Sequence, residues 1–482
     1  MPKFDFDIAI LGGGSAGLTI AAGAAQFGAK TLLIEKEGRL GGDCLHYGCV
    51  PSKTLIKTAS VRQMIRNSGR FGLPKVEMPP VDFREVSARI RSVIGTIQEH
   101  DSTERFCRLG AKVESGHAEF VDEHSVRLEG RTYSARNWVI ATGSSPAAPP
   151  VPGLESTPFI TNREIFYLER LPESMIVLGG GPISTEMAQA FARLGTRVTV
   201  LQRSGQILTR EDGDMADAVM EILHSEGVVF HLNAAIDSVK DLGKNREVVI
   251  RKKDGSSESI VAETILVALG REANLRGLGL EGIGVEFDRQ GLRLDSRLRT
   301  IQPHIFGAGD VTGAYQFTHA AGYEGGVVVA NAVLRLPRKA DYTWFPWCTY
   351  TDPELASIGM NEARAKEAGI ACSVWTEDFR MNDRSLAEGS GQGRIKLILD
   401  EKEKPLGVQI LGLHAGDLIS EWVAVMNSGM RLSSLAGAVH PYPTIAEINK
   451  KVAGNYISGK LFSGKVKKAL KLFFSLRGRA CE

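Results

Sequence analysis

The feature that most constrains the fold is a pattern that occurs twice: an apolar strand, a glycine-rich turn, a helix and a second strand. The turns carry the motif G-x-G-x-x-[GS], at Gly12, Gly14 and Gly17 in the first copy and at Gly179, Gly181 and Ser184 in the second. In both copies the second strand ends 23 residues after the first glycine, at Glu35 and at Gln202. Because such a turn lets the backbone approach a pyrophosphate at a helix N-terminus, the two copies predict two dinucleotide-binding units.

The residue that ends each second strand indicates which dinucleotide is bound. Glu35 suits an unmodified ribose diol, as in FAD or NAD. Gln202 has no negative charge and is followed by Arg203 and, after a loop, by Arg210. Because a neutral residue beside arginines accommodates a 2′-phosphate, we expect NADPH rather than NADH at the second unit. Arginines that are merely solvated are the alternative.

Shorter patterns extend both sites. Each unit ends in a strand that runs into a similar tripeptide, and these supply Thr142 and Gly143 in the first unit and Gly270 in the second. A third segment, GAGD, places Asp310 at a turn where its carboxylate can bind cofactor hydroxyls, with an ordinary Asx cap as the alternative. Ser15 and Gly42 complete the residues expected at the first dinucleotide.

Two of the six cysteines, Cys44 and Cys49, lie close together in GGDCLHYGCVPSK, residues 41–53. A zinc site usually needs four ligands, and the sequence has no second close pair of Cys or His residues. Acids stand at the N-terminus where a signal peptide has bases, so we expect a reducing cytoplasm, where structural disulfides are rare. The pair is therefore predicted to be redox-active, next to the N-terminus of a helix that begins near Pro51.

A basic tail follows a mildly acidic body. Residues 448–481 contain nine Lys or Arg and no Asp or Glu, whereas the rest of the chain has 49 basic and 56 acidic residues. Within 456–480, Val466, Leu470, Phe473 and Phe474 have helical spacing and lysines occupy the other faces. This predicts an amphipathic helix that contacts the inner face of an anionic membrane, docks on an acidic partner or packs on a dimer. No segment is long and apolar enough to span a bilayer, and we expect no nucleic-acid partner.

Together, the two dinucleotide units, the C-x4-C pair, the ATG strand end and the GAGD turn resemble the flavoprotein disulfide reductases, from Phe6 to about Gly454. This family includes dihydrolipoamide dehydrogenase, glutathione reductase and mercuric reductase. The resemblance implies an α/β fold with two Rossmann-like domains, for FAD and for NAD(P), and a C-terminal α+β dimerisation domain. It also implies a homodimer whose active site is shared between subunits.

The resemblance implies a division of the chain into domains. The FAD domain has two segments, 1–150 and 273–344, on either side of an NAD(P) domain at 151–272. The dimerisation domain spans 345–455, and the basic amphipathic tail spans 456–482.

The resemblance also implies roles for residues around the cysteine pair. Cys49 lies next to the flavin, and Cys44 exchanges with the substrate. Lys53 and Glu186 pair beside the reacting nitrogen of the flavin, where a cation stabilises negative charge on the reduced ring. Electrons then pass from NAD(P)H through FAD to the cysteine pair and on to an acceptor. His46, between the two thiols, either stabilises a thiolate or points to solvent.

The segment AGAVHPYPTIAEINK departs from dihydrolipoamide dehydrogenase, which has a catalytic histidine there. Aligned on Glu447, this chain keeps an upstream histidine, His440, but has Tyr442 in place of the catalytic one. A phenol with a pKa of ~10 is a poor base at neutral pH. Mercuric reductases resemble this chain in having a tyrosine here. We therefore expect a small disulfide or a thiol-bound soft metal such as Hg(II) as acceptor, with His440 as an alternative acid/base.

Two other functions stay open. One is a dihydrolipoamide dehydrogenase that oxidises dihydrolipoyl groups of a larger complex with NAD+. The other is a flavin-holding interaction protein tethered by its tail. Mercuric reductases end in an adjacent cysteine pair, whereas this chain has Cys481 alone.

Overall fold

The computed structural model describes residues 4–147 and 150–477, so Cys481 lies outside the described residues. The first unit is built on a sheet whose two central strands are almost entirely buried, as expected for a parallel sheet covered on both faces. Its parallel strands have the order Ala111–Ser115, Thr31–Glu35, Phe6–Leu11, Arg131–Ile140 and Ile305–Gly307. The beginning of Arg131–Ile140 also pairs with an antiparallel extension, Ser125–Leu128 and Ala118–Asp122.

Helices Ser15–Gln26 and Thr318–Ala332 cover one face of this sheet, and the antiparallel extension and residues 275–285 cover the other. The two helices approach closely because small residues lie between them: a Cβ added to Gly325 would lie 3.0 Å from Cβ of Thr19. The remaining helices of this unit are Gly42–His46, Cys49–Arg66, Phe83–Gln98 and Thr103–Leu109.

The second unit is a smaller parallel sheet with an antiparallel attachment. Its parallel strands have the order Val229–His231, Arg197–Leu201, Ser174–Leu178 and Thr264–Val267. Its helices are Pro182–Leu194 and Gly213–Ser225, and the attached antiparallel strands are Ala235–Asp241, Arg246–Arg251 and Ser257–Ala262. The chain enters and leaves this unit side by side, because Ser144–Pro146 pairs with Arg271–Ala273. This pairing places both crossings next to the first unit.

The third unit is an antiparallel sheet with helices. Its strands have the order Pro346–Thr349, Glu354–Gly359, Pro405–Gly412, Arg394–Asp400 and Cys372–Asp378. Its helices are Glu362–Glu367, Asp383–Ala387, Ala415–Ser428, Leu432–Gly437 and Glu447–Leu461. Short 3-10 helices occur across the chain, at Ser68–Phe71, Glu281–Ile283, Asp310–Thr312 and Phe379–Met381. This architecture agrees with the predicted α/β class with an α+β C-terminal domain.

The predicted amphipathic tail forms a separate helix, Gly464–Phe473, in which no residue is buried. None of the helices within the described ranges combines the length and the apolar character needed to cross a bilayer.

Candidate active site

A cavity of about 870 Å³ is lined by residues of all three units. Many of the residues assigned to the site from the sequence line it, namely Gly12, Gly14, Ser15, Glu35, Gly42, Cys44, Cys49, Lys53, Thr142, Gly143, Glu186 and Asp310. Residues that are up to 298 positions apart in the chain, Gly12 and Asp310, therefore meet at one site, as a cofactor that connects two reaction partners requires.

One end of the cavity is formed by the first glycine turn. Gly12 has a φ of +107°, and a Cβ added there would lie 2.3 Å from the carbonyl oxygen of Ala141. The helix Ser15–Gln26 begins without a side-chain cap or an acidic residue in its first turn, so its N–H groups are available to an anion. Glu35 accepts hydrogen bonds from the Gly13 N–H at 2.7 Å and the Glu37 N–H at 2.8 Å. These groups fit the ADP part of FAD.

Polar groups converge on Arg271 in the middle of the cavity. Its guanidinium lies 3.1 Å from Oδ2 of Asp43 and donates to Oγ of Ser144 at 2.7 Å. The Ser144 hydroxyl in turn donates to Asp310, whose pKa is raised by burial. No sequence motif marked Ser144 or Arg271, although Arg271 directly follows Gly270.

Thr142 and Gly143 are held by the strand that returns from the second unit. Oγ1 of Thr142 donates to the Asn274 carbonyl at 2.7 Å, and the Asn274 N–H donates to the Gly143 carbonyl at 2.9 Å. These bonds connect the ATG strand end to the crossing between the first and second units.

Cys44 lies in helix Gly42–His46, and Cys49 is the first residue of Cys49–Arg66, two residues before the expected start at Pro51. Both are free thiols, and Cys49 is exposed on the cavity wall with its Sγ 3.2 Å from Oγ1 of Thr318. A hydrogen bond from the Cys44 thiol, assisted by Thr318 and Lys53, outweighs burial and lowers the pKa of Cys49 to about 6. The same bond and burial raise the pKa of Cys44 well above its usual range. The bond between the two thiols therefore favours the negative charge on Cys49 and the proton on Cys44.

His46 does not point to solvent, which corrects one of the two expectations for this residue. Its ring is buried, and Nε2 lies 3.0 Å from the Leu40 carbonyl oxygen. The backbone carbonyl of His46 accepts a hydrogen bond from the Tyr167 hydroxyl at 2.6 Å. These contacts hold His46 in the protein interior.

Lys53 and Glu186 form an ion pair in the cavity, with Nζ 2.8 Å from Oε2. Burial lowers the pKa of Lys53, but the Glu186 carboxylate more than offsets this and the pKa is raised. Tyr350 contacts both members of this ion pair. Its backbone N–H donates to Glu186 at 2.9 Å, and its ring centroid lies 4.3 Å from Nζ of Lys53. Lys53 therefore stays charged beside Cys49. Tyr350 and Thr318 were not expected at the site, because no sequence motif marks them.

The second glycine turn has the same form as the first. Gly179 has a φ of +106°, and Oε1 of Gln202 lies 3.2 Å from the Gly180 nitrogen, which donates to it. The amide of Gln202 also donates within its own loop, to Oγ of Ser204 at 2.7 Å and to the Gln206 carbonyl at 3.0 Å. Gln202 therefore closes the loop that follows the strand.

The other residues assigned to the second dinucleotide differ in exposure. Ser184 is fully buried and its Oγ has no hydrogen-bond partner. Gly270, Arg203 and Arg210 are exposed, and neither guanidinium forms an ion pair within residues 4–147 and 150–477. Two cations are thus available near the end of the strand, whereas Ser184 lies inside the helix packing.

The three residues near the C-terminus do not reach the cavity of their own chain. Nε2 of His440 lies 2.9 Å from Oε1 of Glu421, and only 9% of the His440 side chain is exposed. Tyr442 is 71% exposed and its hydroxyl donates to Asp383 at 2.9 Å, which raises its pKa. Glu447 accepts the Thr444 N–H at 3.4 Å.

Comparisons with known proteins identify the family of this chain. The model described as pyridine nucleotide-disulphide oxidoreductase matches residues 6–325, and that of the family's dimerisation domain matches residues 345–453. The mercuric reductase of Streptomyces lividans is 33% identical over 94% of this chain and 96% of its own length. The dihydrolipoyl dehydrogenase of Geobacillus stearothermophilus is 34% identical over 92% of this chain and 94% of its own length.

A solved structure is similar over the same extent. The Cu(II) complex of RclA, an HOCl-induced flavoprotein disulfide reductase from Escherichia coli, has a TM-score of 0.83 and 28% identity. The match covers 94% of this chain and 100% of that one. The chain therefore belongs to the pyridine nucleotide-disulphide oxidoreductases, a family of flavoprotein enzymes that use FAD and NAD(P)H.

Proposed function

We propose that this enzyme oxidises NADPH and that its Cys44–Cys49 pair delivers the electrons to a thiol-bound soft metal ion such as Hg(II), or to a small disulfide. The observation that supports this most directly is the state of Tyr442. Tyr442 stands where a dithiol-oxidising relative has its base, yet its hydroxyl donates a hydrogen bond to Asp383, which raises its pKa. A group in that state does not accept protons at neutral pH.

The first unit offers the groups that would hold FAD. Its glycine turn and helix N-terminus suit the pyrophosphate, Glu35 suits the ribose, and Asp310 suits further hydroxyls. When bound, FAD relays electrons between the nicotinamide and the cysteine pair. Lys53 supplies a fixed positive charge on the cavity wall beside Cys49.

The proton balance of the cysteine pair favours a soft metal ion over a small disulfide as the acceptor, and also over a dithiol as the substrate. Cys44 keeps its proton because its pKa is raised, so disulfide exchange through Cys44 needs a base. His440, the histidine two residues before Tyr442, does not supply this base, because its Nε2 contacts the Glu421 carboxylate. A soft metal ion needs no such base, because coordination itself displaces the proton from a thiol.

The proposed reaction is a two-electron transfer. NADPH, one proton and a metal dithiolate, Hg(SR)2, give NADP+, Hg(0) and two RSH. With a disulfide, NADPH, one proton and RSSR give NADP+ and two RSH. In both cases the Cys44–Cys49 pair cycles between dithiol and disulfide, and Arg203 and Arg210 are the residues we assign to the 2′-phosphate of NADPH.

A panel of acceptors tests the proposal: Hg(II) with excess thiol, oxidised glutathione, lipoamide and coenzyme A disulfide, each with NADPH. We expect Hg(II) reduction, and we expect Cys44→Ser to lower it at least about 100-fold because the second thiolate is lost. Cys107→Ser, at an exposed cysteine in helix Thr103–Leu109, is the matched control. An acceptor whose reduction survives Cys44→Ser does not use the cysteine pair, and survival for every acceptor contradicts the proposal.

A second candidate, dihydrolipoamide oxidation with NAD+, is favoured by the 34% identity to a dihydrolipoyl dehydrogenase. The wild type should turn over dihydrolipoamide slowly for want of a base. Tyr442→His should raise kcat for this substrate about 100-fold, the usual contribution of general-base catalysis. Fast turnover by the wild type, lost in Tyr442→Phe, would favour the second candidate instead.

The dimerisation domain indicates a homodimer. We propose further that Tyr442 and His440 face the cavity of the partner subunit, which accounts for their distance from the cavity of their own chain. We propose that the enzyme acts in the cytoplasm, a reducing compartment in which a close cysteine pair is more often catalytic than structural.

A further inference from the structure

The C-terminal tail helix, Gly464–Phe473, is an element that the active site does not use. It follows a firmly anchored helix, Glu447–Leu461, which buries Ile448, Val452 and Tyr456 in the third unit. The tail helix itself buries no residue. The tail helix therefore extends from an anchored helix and does not pack on the body of its own chain.

Three apolar residues of the tail helix form a stripe opposite its lysines, and Leu472 alone of its large apolar residues lies on the lysine side. At about 100° per residue, Val466, Leu470 and Phe473 fall within about 60° of one another. The lysines that cover the opposite and flanking sides are Lys465, Lys467, Lys468 and Lys471, all of them exposed. A stripe of apolar residues with lysines on both flanks fits a flat interface between water and hydrocarbon.

Large apolar side chains at the end of the helix are unusually exposed. Phe473 is 82% exposed and Leu472 is 86% exposed. Phe474 stacks edge-on against Phe473, with ring centroids 5.0 Å apart, and Leu476 is exposed as well. Together with Arg477, the segment presents aromatic rings and five cations, with no acidic residue between 448 and 481.

We propose that the tail helix, with residues 474–477, is a docking surface for an anionic lipid bilayer. The charge of the segment is complementary to acidic headgroups, and each lysine near such a surface strengthens binding several-fold. The exposed rings are of the kind that insert at the headgroup level. Ten helical residues are too short to span the membrane, so the enzyme would lie on the surface. A homodimer carries two tails, and their combined binding makes a weak single contact effective.

Co-sedimentation of the full-length, flavin-loaded enzyme with lipid vesicles tests this. We expect binding to vesicles of phosphatidylcholine and phosphatidylglycerol (3:1) that is at least about tenfold stronger than to phosphatidylcholine alone. Raising the salt from about 0.05 M to about 0.5 M should weaken it, because the charges are screened. Equal binding to both vesicles, or to neither, overturns the proposal.

Two sets of variants separate the charge from the apolar stripe. Replacing Lys465, Lys467, Lys468 and Lys471 by Gln should weaken vesicle binding at least about tenfold, and Phe473→Ala with Phe474→Ala should do likewise. The matched control replaces four exposed lysines elsewhere by Gln, namely Lys240, Lys244, Lys253 and Lys366. All variants should keep the turnover of NADPH. Vesicle binding that is equal in the tail and control variants overturns the proposal.

Other occupants of the surface give distinct results. If deleting residues 464–482 converts the dimer to a monomer in sedimentation velocity, the tail is a contact between subunits and the lipid proposal is wrong. If the enzyme is retained by immobilised polyglutamate but not by anionic vesicles, the partner is an acidic protein and the proposal is equally wrong. A deletion variant that stays dimeric but no longer binds vesicles supports it.

Discussion

The first and second glycine turns have nearly the same backbone but different surroundings. Gly14 and Gly181 both cap their helices, with φ and ψ of −81° and −173° in the first and −80° and −177° in the second. In both turns the first glycine adopts a positive φ. In both, the side chain that follows the second strand accepts a hydrogen bond from the second glycine of the turn. Glu35 accepts from the Gly13 N–H, and Gln202 accepts from the Gly180 N–H.

The differences lie in packing and charge. A Cβ added to Gly17 would lie 1.9 Å from the Gly12 carbonyl oxygen, whereas the second unit accommodates the whole Ser184 side chain at the corresponding position. Glu35 brings a carboxylate to the cavity, whereas Gln202 brings a neutral amide that is used within its loop. The two turns thus share a backbone form, and the packing and the charge around that backbone distinguish them.

The packing difference predicts the largest effect. Gly17→Ala forces a methyl group against a backbone oxygen that no rotamer change can move, so we expect a loss of about 3 kcal/mol of stability and of most bound FAD. Ser184→Ala is the matched control, and it should leave stability unchanged or raise it by about 1 kcal/mol because an unpartnered buried hydroxyl is removed. Urea unfolding and the flavin absorbance per protein measure both. Similar behaviour of the two variants would show that the turns pack alike.

A buried carboxyl group, that of Glu324, stabilises the GAGD turn of the first unit, because it accepts a hydrogen bond from the Gly309 N–H at 2.6 Å. Burial, opposed by its hydrogen-bond donors, raises the pKa of Glu324 to about 7. Because the folded state holds this proton more tightly than the unfolded state, stability should fall as the pH rises from about 4.5 through about 7, by up to about 3 kcal/mol. In Glu324→Gln this fall should be smaller. Thermal unfolding midpoints at about pH 5 and pH 8 measure this fall in stability. Equal falls in the wild type and in Glu324→Gln would show that Glu324 is not its cause.

The charge difference predicts the next effect. Glu35→Gln gives the first unit the residue type of the second, and it should weaken FAD binding about 10- to 100-fold because a charged hydrogen-bond acceptor is lost. Recovery of free-flavin fluorescence on dilution measures this. The reciprocal change, Gln202→Glu, should leave FAD binding intact and raise the KM for NADPH. Weaker FAD binding in Gln202→Glu would mean that the units are assigned to the wrong dinucleotides.

The smallest effect concerns the arginines of the second unit. Arg203→Ala combined with Arg210→Ala should lower kcat/KM for NADPH about tenfold, through loss of charge-assisted hydrogen bonds to the 2′-phosphate. The value for NADH should not change. Arg127→Ala, at an exposed arginine of the first unit, is the control. Equal losses with NADPH and NADH would remove the basis for assigning NADPH to this unit.

The family, the fold class, the enzymatic nature and the use of FAD and NAD(P)H were predictable from the sequence, and all are confirmed. The enzymatic assignment leaves no support for a purely flavin-holding interaction protein. The boundaries of the domains and the roles of the individual site residues stay predictions. The helix after the cysteine pair begins at Cys49, close to the start expected near Pro51, and of the two alternatives for His46 the solvent-facing one was wrong.

The sequence by itself determined the elements whose chemistry is local. A glycine turn at the end of a strand, a close cysteine pair and a helical stripe of lysines each carry their signal within about 30 residues. Only the tertiary structure decided which distant side chains meet: Arg271 with Asp43, Thr318 with Cys49, and Tyr350 with the Lys53–Glu186 pair. These contacts depend on how three units pack around one cavity, and no spacing in the chain records that packing. The charge of the thiols draws on both levels: the bond between Cys44 and Cys49 lies within the motif, whereas Thr318 is brought to Cys49 by the tertiary structure.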